Sequence, residues 1–194
     1  MLKFATYCAA FGFLSFMTAC PAPSQTKPDP SSNAKTNTTK HEAETISDTA
    51  FARRAAEIGI SEMKLGQLAE EKGSSQTVKD FGKLMVTDHT KSNKQLQEDA
   101  EKQKVTLPSE MTKTEQMTYD HLSKLSGQSF DRAYARDMVR YHKADIAEFQ
   151  RESEHGQSGW TKSFASENLP TLRDQVKQAE KMLHAVEPAK SSKS

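Results

Sequence analysis

Four polar residues interrupt apolar helical stripes in this sequence, and their side chains are of the types that bind metal ions. Glu62 lies on a stripe that runs from Phe51 to Ala69, and His89 follows Met85 by four residues on a second stripe. His142 and Asp145 lie one turn apart on a third stripe. Carboxylate oxygens and imidazole nitrogens are common ligands of Zn²⁺ and Fe²⁺. These residues therefore form a candidate site for one divalent ion in the middle of a helical domain.

The same four residues are also compatible with a buried hydrogen-bonded network that fixes the register of the helices. An unpaired polar group inside a protein costs free energy, so buried polar side chains lie close enough to hydrogen-bond with one another. They form such clusters whether or not an ion is bound. We expect the network, with no cofactor and no enzymatic activity, and keep the single zinc or iron ion as the alternative. No cysteine remains for catalysis or metal binding beyond Cys8 and Cys20, which both lie near the start of the chain.

A complete di-iron site is not predicted. Such sites take a Glu from each of two helices and a Glu-x-x-His pair from each of two others. Val86 occupies the position, three residues before His89, where a glutamate would be required. On the third stripe the histidine comes before the acid, as His142-x-x-Asp145, which is the reverse of the required order. The last helix offers no acid or imidazole on its inner face.

Apolar residues recur at helical spacing through most of the chain, and no stretch alternates as a strand would. Caps and breakers divide this pattern into four long helices, with one short helix between the second and third. The first helix is expected over residues 48–72. The second follows the caps Ser74 and Ser75 and ends at 103, and the other three span 111–125, 130–154 and 160–186. The fold class is therefore all-α, an antiparallel four-helix bundle over residues 48–187.

The first residues have the features of an export signal. Lys3 precedes a run of apolar residues that is too short to span a bilayer, and the run ends in a phrase, Met17-Thr18-Ala19-Cys20, that resembles the bacterial lipobox. This resemblance implies a signal peptide over 1–19 and a lipid on Cys20 that attaches the protein to a membrane. Residues 20–47 are rich in Pro, Ser, Thr and Asn, which predicts a disordered tether, and 188–194 form a polar tail. An aspartate directly after the lipidated cysteine would favour retention in the inner membrane. Pro21 occupies that position instead, so we expect the protein to be attached to the outer membrane and to face the periplasm.

The charge balance argues against a nucleic-acid partner. The chain carries 27 basic and 26 acidic side chains, and removal of the leader with Lys3 leaves equal numbers. Nucleic-acid-binding domains usually carry a basic face, and anionic lipids attract a polybasic segment. The composition predicts neither a protein partner nor an oligomeric state.

Several phrases in the folded region resemble an uncharacterised family of exported bacterial proteins with a ferritin-like four-helix domain, also described as predicted outer-membrane proteins. The phrases include Asp88-His89-x-Lys91, Val105-Thr106-Leu107-Pro108, Met138-Val139-x-x-His142 and Leu169-Pro170-Thr171-Leu172-Arg173. The resemblance implies a ferritin-like fold and an envelope location but no activity. We therefore expect a non-enzymatic envelope lipoprotein with an interaction or stress-related role. The alternative is a ferritin-like metal-binding or redox protein.

Overall fold

The computed structural model describes residues 30–187, and this part of the chain contains five α-helices and no strand. The all-α prediction is therefore confirmed, including the short helix between the second and third long ones. No helix in this region is long and apolar enough to cross a membrane. The predicted signal peptide, Cys20 and the polar tail lie outside the described residues. The helices are α1 (Pro30–Lys72), α2 (Gln76–Lys102), α3 (Lys113–Ser123), α4 (Gly127–His155) and α5 (Gly159–Val186).

The first helix is longer than the sequence pattern predicted. It begins at Pro30 instead of near Asp48, so residues 30–47, expected to belong to a disordered tether, are helical. Proline is well suited to the first turn of a helix, and no further proline or glycine occurs before Asp48. Once the following residues are packed as a helix, each added residue gains a hydrogen bond without a new nucleation cost. Helix propagation therefore outweighs the polar composition on which the prediction rested.

The start of α4 also differs from the prediction. The helix begins at Gly127 instead of residue 130, and the side chain of Ser126, which precedes it, makes no capping hydrogen bond. Gly127 has a φ of +56°, a conformation that glycine adopts at little cost. The helix therefore begins a few residues early. Elsewhere the expected bounds agree closely with the structure, and Pro170 lies inside a continuous α5.

The long helices pack as two pairs. α1 lies along α2 and α4 lies along α5, while the two pairs meet through contacts of α2 with α5 and of α1 with α4. The short α3 packs on α1 and α4. Two glycines let α1 and α2 approach closely, because a Cβ on Gly66 would lie 2.7 Å from the Gly82 carbonyl oxygen and the reverse distance would be 2.6 Å. This close approach holds α2 against α1 about one turn from Glu62.

Each pair of helices holds the turn of the other pair through one buried aspartate. The carboxylate of Asp131, at the start of α4, accepts hydrogen bonds from the backbone N–H groups of Ser74 and Ser75, both at 2.9 Å. Asp48 in α1 accepts them from Gln157 and Ser158, before α5, the first at 3.1 Å. The sequence interval from Asp48 to Asp131 is the same as the interval from Ser74 to Gln157 and from Ser75 to Ser158. The two halves of the molecule therefore repeat one another in sequence register and in contacts.

The apolar core consists of two clusters. One lies toward the α1–α2 turn and includes Leu65, Phe81, Met85, Phe130 and Tyr134. The other lies toward the α4–α5 turn and includes Phe51, Leu96, Phe149, Phe164 and Leu172. On each long helix a polar residue separates the members of one cluster from those of the other. This polar layer is where the candidate site lies.

We predict that Asp131→Ala lowers the free energy of unfolding by about 1–3 kcal/mol, because two backbone N–H groups lose a charged acceptor. Asp131 is buried, and the loss also removes a negative charge that favours the N-terminus of α2. The matched control is Asp120→Ala on α3, an exposed aspartate whose change should cost less than about 0.5 kcal/mol. Urea denaturation measures both. Equal stabilities of the two variants would contradict the importance of this contact.

Candidate metal centre

The structure brings together all four residues that the sequence singled out. Glu62 comes from α1, His89 from α2, and His142 and Asp145 from α4. All four are buried, with exposed fractions of 2%, 7%, 0% and 5%. Three long helices thus each direct at least one ionisable side chain into the layer between the apolar clusters. Cys20, the predicted lipid attachment site, lies outside the described residues.

Glu62 is the centre of the cluster. Its Oε2 atom lies 2.8 Å from Nε2 of His89, and its Oε1 atom lies 3.4 Å from Nδ1 of His142. One potential ligand atom from each of these three residues lies within 4.8 Å of the other two. The two imidazole rings are in edge contact, with their centroids 6.4 Å apart. One carboxylate therefore lies between two imidazoles from different helices.

His142 has an unequal environment at its two ring nitrogens. Its Nδ1 atom lies 2.9 Å from the backbone carbonyl oxygen of Met138, one turn earlier on α4. A carbonyl can only accept, so this contact places the proton on Nδ1. Among the described residues, Nε2 of His142 has no hydrogen-bond partner, although the side chain is completely buried. The described part of the chain therefore leaves one buried ring nitrogen unsatisfied.

The two carboxyl groups have opposite protonation states. Burial alone would raise the pKa of Glu62, but the adjacent His142 and His89 lower it to about 2. Burial and the negative charge of Glu62 raise the pKa of Asp145 to about 9. Near neutral pH Asp145 is therefore protonated and can donate a hydrogen bond to Glu62, which is ionised. The pair holds one proton and one negative charge.

Two further buried polar residues were missed by the sequence reasoning. Gln175 of α5 is 1% exposed, and its Nε2 atom donates to Asp88, the neighbour of His89, at 2.9 Å. Its Oε1 atom has no partner among the described residues, and neither has the hydroxyl of Tyr134. The spacing Leu172–Gln175–Ala179 would have revealed Gln175, since it follows the helical repeat of the buried face.

The cluster has the ligand types and the dimensions that a small divalent ion needs. Two imidazoles and one carboxylate suit Zn²⁺ and Fe²⁺, and at bond lengths of 2.0–2.2 Å neighbouring ligand atoms lie about 3.4 Å apart. In the structure Nε2 of His89 lies 2.8 Å from Oε2 of Glu62, and one potential ligand atom from each of the three residues lies within 4.8 Å of the others, so the observed separations span this value. Small side-chain rotations would therefore suffice to enclose an ion. The contact of His142 with a backbone carbonyl also resembles the support that ligating histidines usually have.

We predict that Asp145→Asn stabilises the metal-free protein, and does so more at pH 8 than at pH 5. The pKa of Asp145 rises from 3.8 to about 9 on folding, so the folded state must retain a proton that the unfolded state has released. Stability is therefore lost as pH rises through this range, at about 1.4 kcal/mol per pH unit at most, and asparagine removes that loss. Glu62, with a folded pKa of about 2, loses its stabilising effect only as pH falls below its ordinary value of 4.5.

Urea denaturation of both proteins at pH 5 and pH 8 measures this effect, because Glu62 and the histidines are common to both. An unchanged stability difference between the two pH values would contradict a protonated Asp145.

Comparison with protein families gave one match, described as a domain of unknown function (DUF4142), over residues 31–182. The matched region includes every residue of the cluster and all five helices apart from their outermost ends. Comparison with curated proteins gave no match, and comparison with solved structures gave none. The match covers most of the chain, which therefore belongs to the DUF4142 family of domains of unknown function.

Proposed function

We propose that this protein binds one divalent transition-metal ion, zinc or iron, through Glu62, His89 and His142, and that it acts as a non-enzymatic metal-binding module. The observation that carries the proposal is the unsatisfied Nε2 of the fully buried His142, whose ring lies next to an ionised glutamate through its Nδ1 side. A buried polar atom without a partner costs about 1–3 kcal/mol, and a bound ion would remove this cost. The purely structural network, which the sequence favoured, leaves the cost in place.

Charge also favours an ion over a network. The groups that act on the charge of the buried Glu62 carboxylate are the two imidazoles and Asp145. An isolated carboxylate in a core is strongly disfavoured, and a directly bound dication compensates its charge more completely than hydrogen bonds alone do. Two nitrogens and one oxygen would leave positions of the ion for water or Asp145, as in mononuclear sites with two histidines and one carboxylate.

We infer that the four long helices form a bundle of the ferritin-like type. The pairing of α1 with α2 and of α4 with α5, with both cross-contacts between the pairs, supports this arrangement. The di-iron centre of many such bundles is not part of the proposal. α5 supplies Gln175 to the polar layer, and neither His89 nor His142 follows a glutamate by three residues.

We further propose that the protein is a lipoprotein of the bacterial envelope, attached through Cys20 and facing the periplasm from the outer membrane. The support is the phrase Met17-Thr18-Ala19-Cys20 after a short apolar run. The long α1, which begins at Pro30, would extend the domain away from the membrane surface. An interaction or stress-related role stays a prediction.

We predict that Zn²⁺ raises the melting temperature of the unaltered protein and not that of His142→Ala or Glu62→Gln. An ion that binds only the folded state adds about 2.7 kcal/mol of stability at one hundred times its Kd. The matched control is His155→Ala, because His155 is exposed at the end of α4 and should leave the response intact. The protein is purified without a histidine tag, and thermal unfolding is followed by circular dichroism.

The network interpretation gives a different result in the same experiment. Glu62→Gln and His142→Ala would lower the melting temperature of the metal-free protein, and added Zn²⁺ would change none of the four proteins. That outcome would overturn the metal proposal.

We predict that Cys20→Ala releases the protein from the membrane fraction, because the only proposed lipid attachment site is lost. The measurement is cell fractionation with mass spectrometry of the mature N-terminus. Cys8→Ala, which changes the other cysteine of the chain, is the matched control and should leave the protein in the membrane. A soluble, lipid-free unaltered protein would contradict the anchor.

A further inference from the structure

A small cavity lies between the metal-binding cluster and the outer face of α1, α3 and α4. Its volume is about 20 Å³, which is enough for one water molecule. Glu62 and Asp145 line it on the buried side, and Arg54, Glu115 and Tyr141 line it toward the surface. Asp145, which is 5% exposed, has an Oδ2 atom with no partner among the described residues. The cavity thus joins the buried carboxyl groups to side chains that reach solvent.

Arg54 covers the outer end of this cavity. Its side chain is 39% exposed, and its guanidinium contacts Glu115 at 2.5 Å, Glu57 at 3.5 Å and Glu148 at 4.0 Å. These carboxylates come from α1, α3 and α4. Desolvation opposes the charge of Arg54, but its contacts with Glu115 and the nearby acids raise its pKa, so it stays charged. One cation therefore occupies a ring of acidic groups directly outside the cluster.

The short helix α3 holds this arrangement in place. Glu115 lies in its first turn and closes a capping box with Thr112, which fixes the direction of the carboxylate. One turn later, Thr118 accepts a hydrogen bond from the hydroxyl of Tyr141 on α4 at 2.7 Å. Leu122 is completely buried against the core. The helix therefore covers the α1–α4 side of the cluster and is fastened by a few side chains.

We propose that Arg54 is a gating residue, and that a divalent cation reaches Glu62, His89 and His142 through this cavity once the guanidinium has moved aside. The proposal rests on the metal-binding function proposed above. The carboxylates of Glu57, Glu115 and Glu148 attract the incoming ion, while Arg54 neutralises them and closes the path at rest. Arg54 touches no proposed ligand atom, so it controls the rates of binding and release more than the affinity.

The test uses Co²⁺ alone as the probe, since the visible absorption of bound Co²⁺ reports uptake and an excess of chelator reports release. Arg54→Ala removes the side chain that covers the outer end of the cavity and leaves the carboxylates of Glu57, Glu115 and Glu148 there. We expect both rate constants to rise about tenfold or more while Kd changes much less, because removing a steric barrier from the path accelerates entry and exit alike. Arg54→Lys, which keeps the charge but cannot contact Glu115, Glu57 and Glu148 with the several nitrogens of a guanidinium, should give intermediate rates.

Two further variants keep the test decisive. Glu115→Gln retains an oxygen for the Thr112 N–H but weakens the hold on Arg54, so it should also accelerate exchange even if Arg54→Ala folds poorly. Arg53→Ala is the control, because Arg53 donates to the Thr106 carbonyl at 2.7 Å and does not line the cavity. It should leave both rates unchanged.

The outcomes separate the two proposals. Stoichiometric Co²⁺ binding with the same rates in Arg54→Ala, Glu115→Gln and the unaltered protein would overturn the gate and leave the metal site standing. No binding of Co²⁺ by the unaltered protein would overturn the metal site and the gate together.

Discussion

The contact on which this structure depends is the burial of the Glu62 carboxylate between the imidazoles of His89 and His142. It places an ionised group between two apolar clusters, where an uncompensated charge would be strongly unfavourable. The two imidazoles come from different helices, so the contact joins α1 to both α2 and α4. The protonated state of Asp145 follows from its burial beside this carboxylate.

Contacts elsewhere in the molecule fix the axial register of these helices. Asp48 and Asp131 fasten the two turns in the same way, and the interval that separates them in sequence also separates Glu62 from Asp145. The two carboxyl groups are thus equivalent positions of a repeated half. Placed together in the core they cannot both ionise: burial and the charge of Glu62 raise the pKa of Asp145, while His142 and His89 lower that of Glu62.

Helical periodicity predicted the helices and the four residues of the cluster because each helix exposes one face to the core. It did not predict the start of α1, since propagation from a packed helix depends on tertiary contacts and not on local composition. Gln175 was not predicted because an amide on an apolar face, unlike an acid or an imidazole, does not by itself indicate metal binding. The acidic groups around Arg54 could not be predicted, because Glu115 and Glu148 come from distant segments and an arginine on a helix surface is ordinary.

The most direct test of a metal-binding cluster is the metal content of the protein itself. The protein is produced from its full sequence, purified without chelator or metal-affinity resin, and analysed by plasma mass spectrometry and X-ray absorption. We predict about one zinc or iron ion per chain, with nitrogen and oxygen ligands near 2.0–2.2 Å, two of them imidazoles. A chain that contains no stoichiometric metal, and takes up none when zinc or ferrous iron is supplied, would contradict the account.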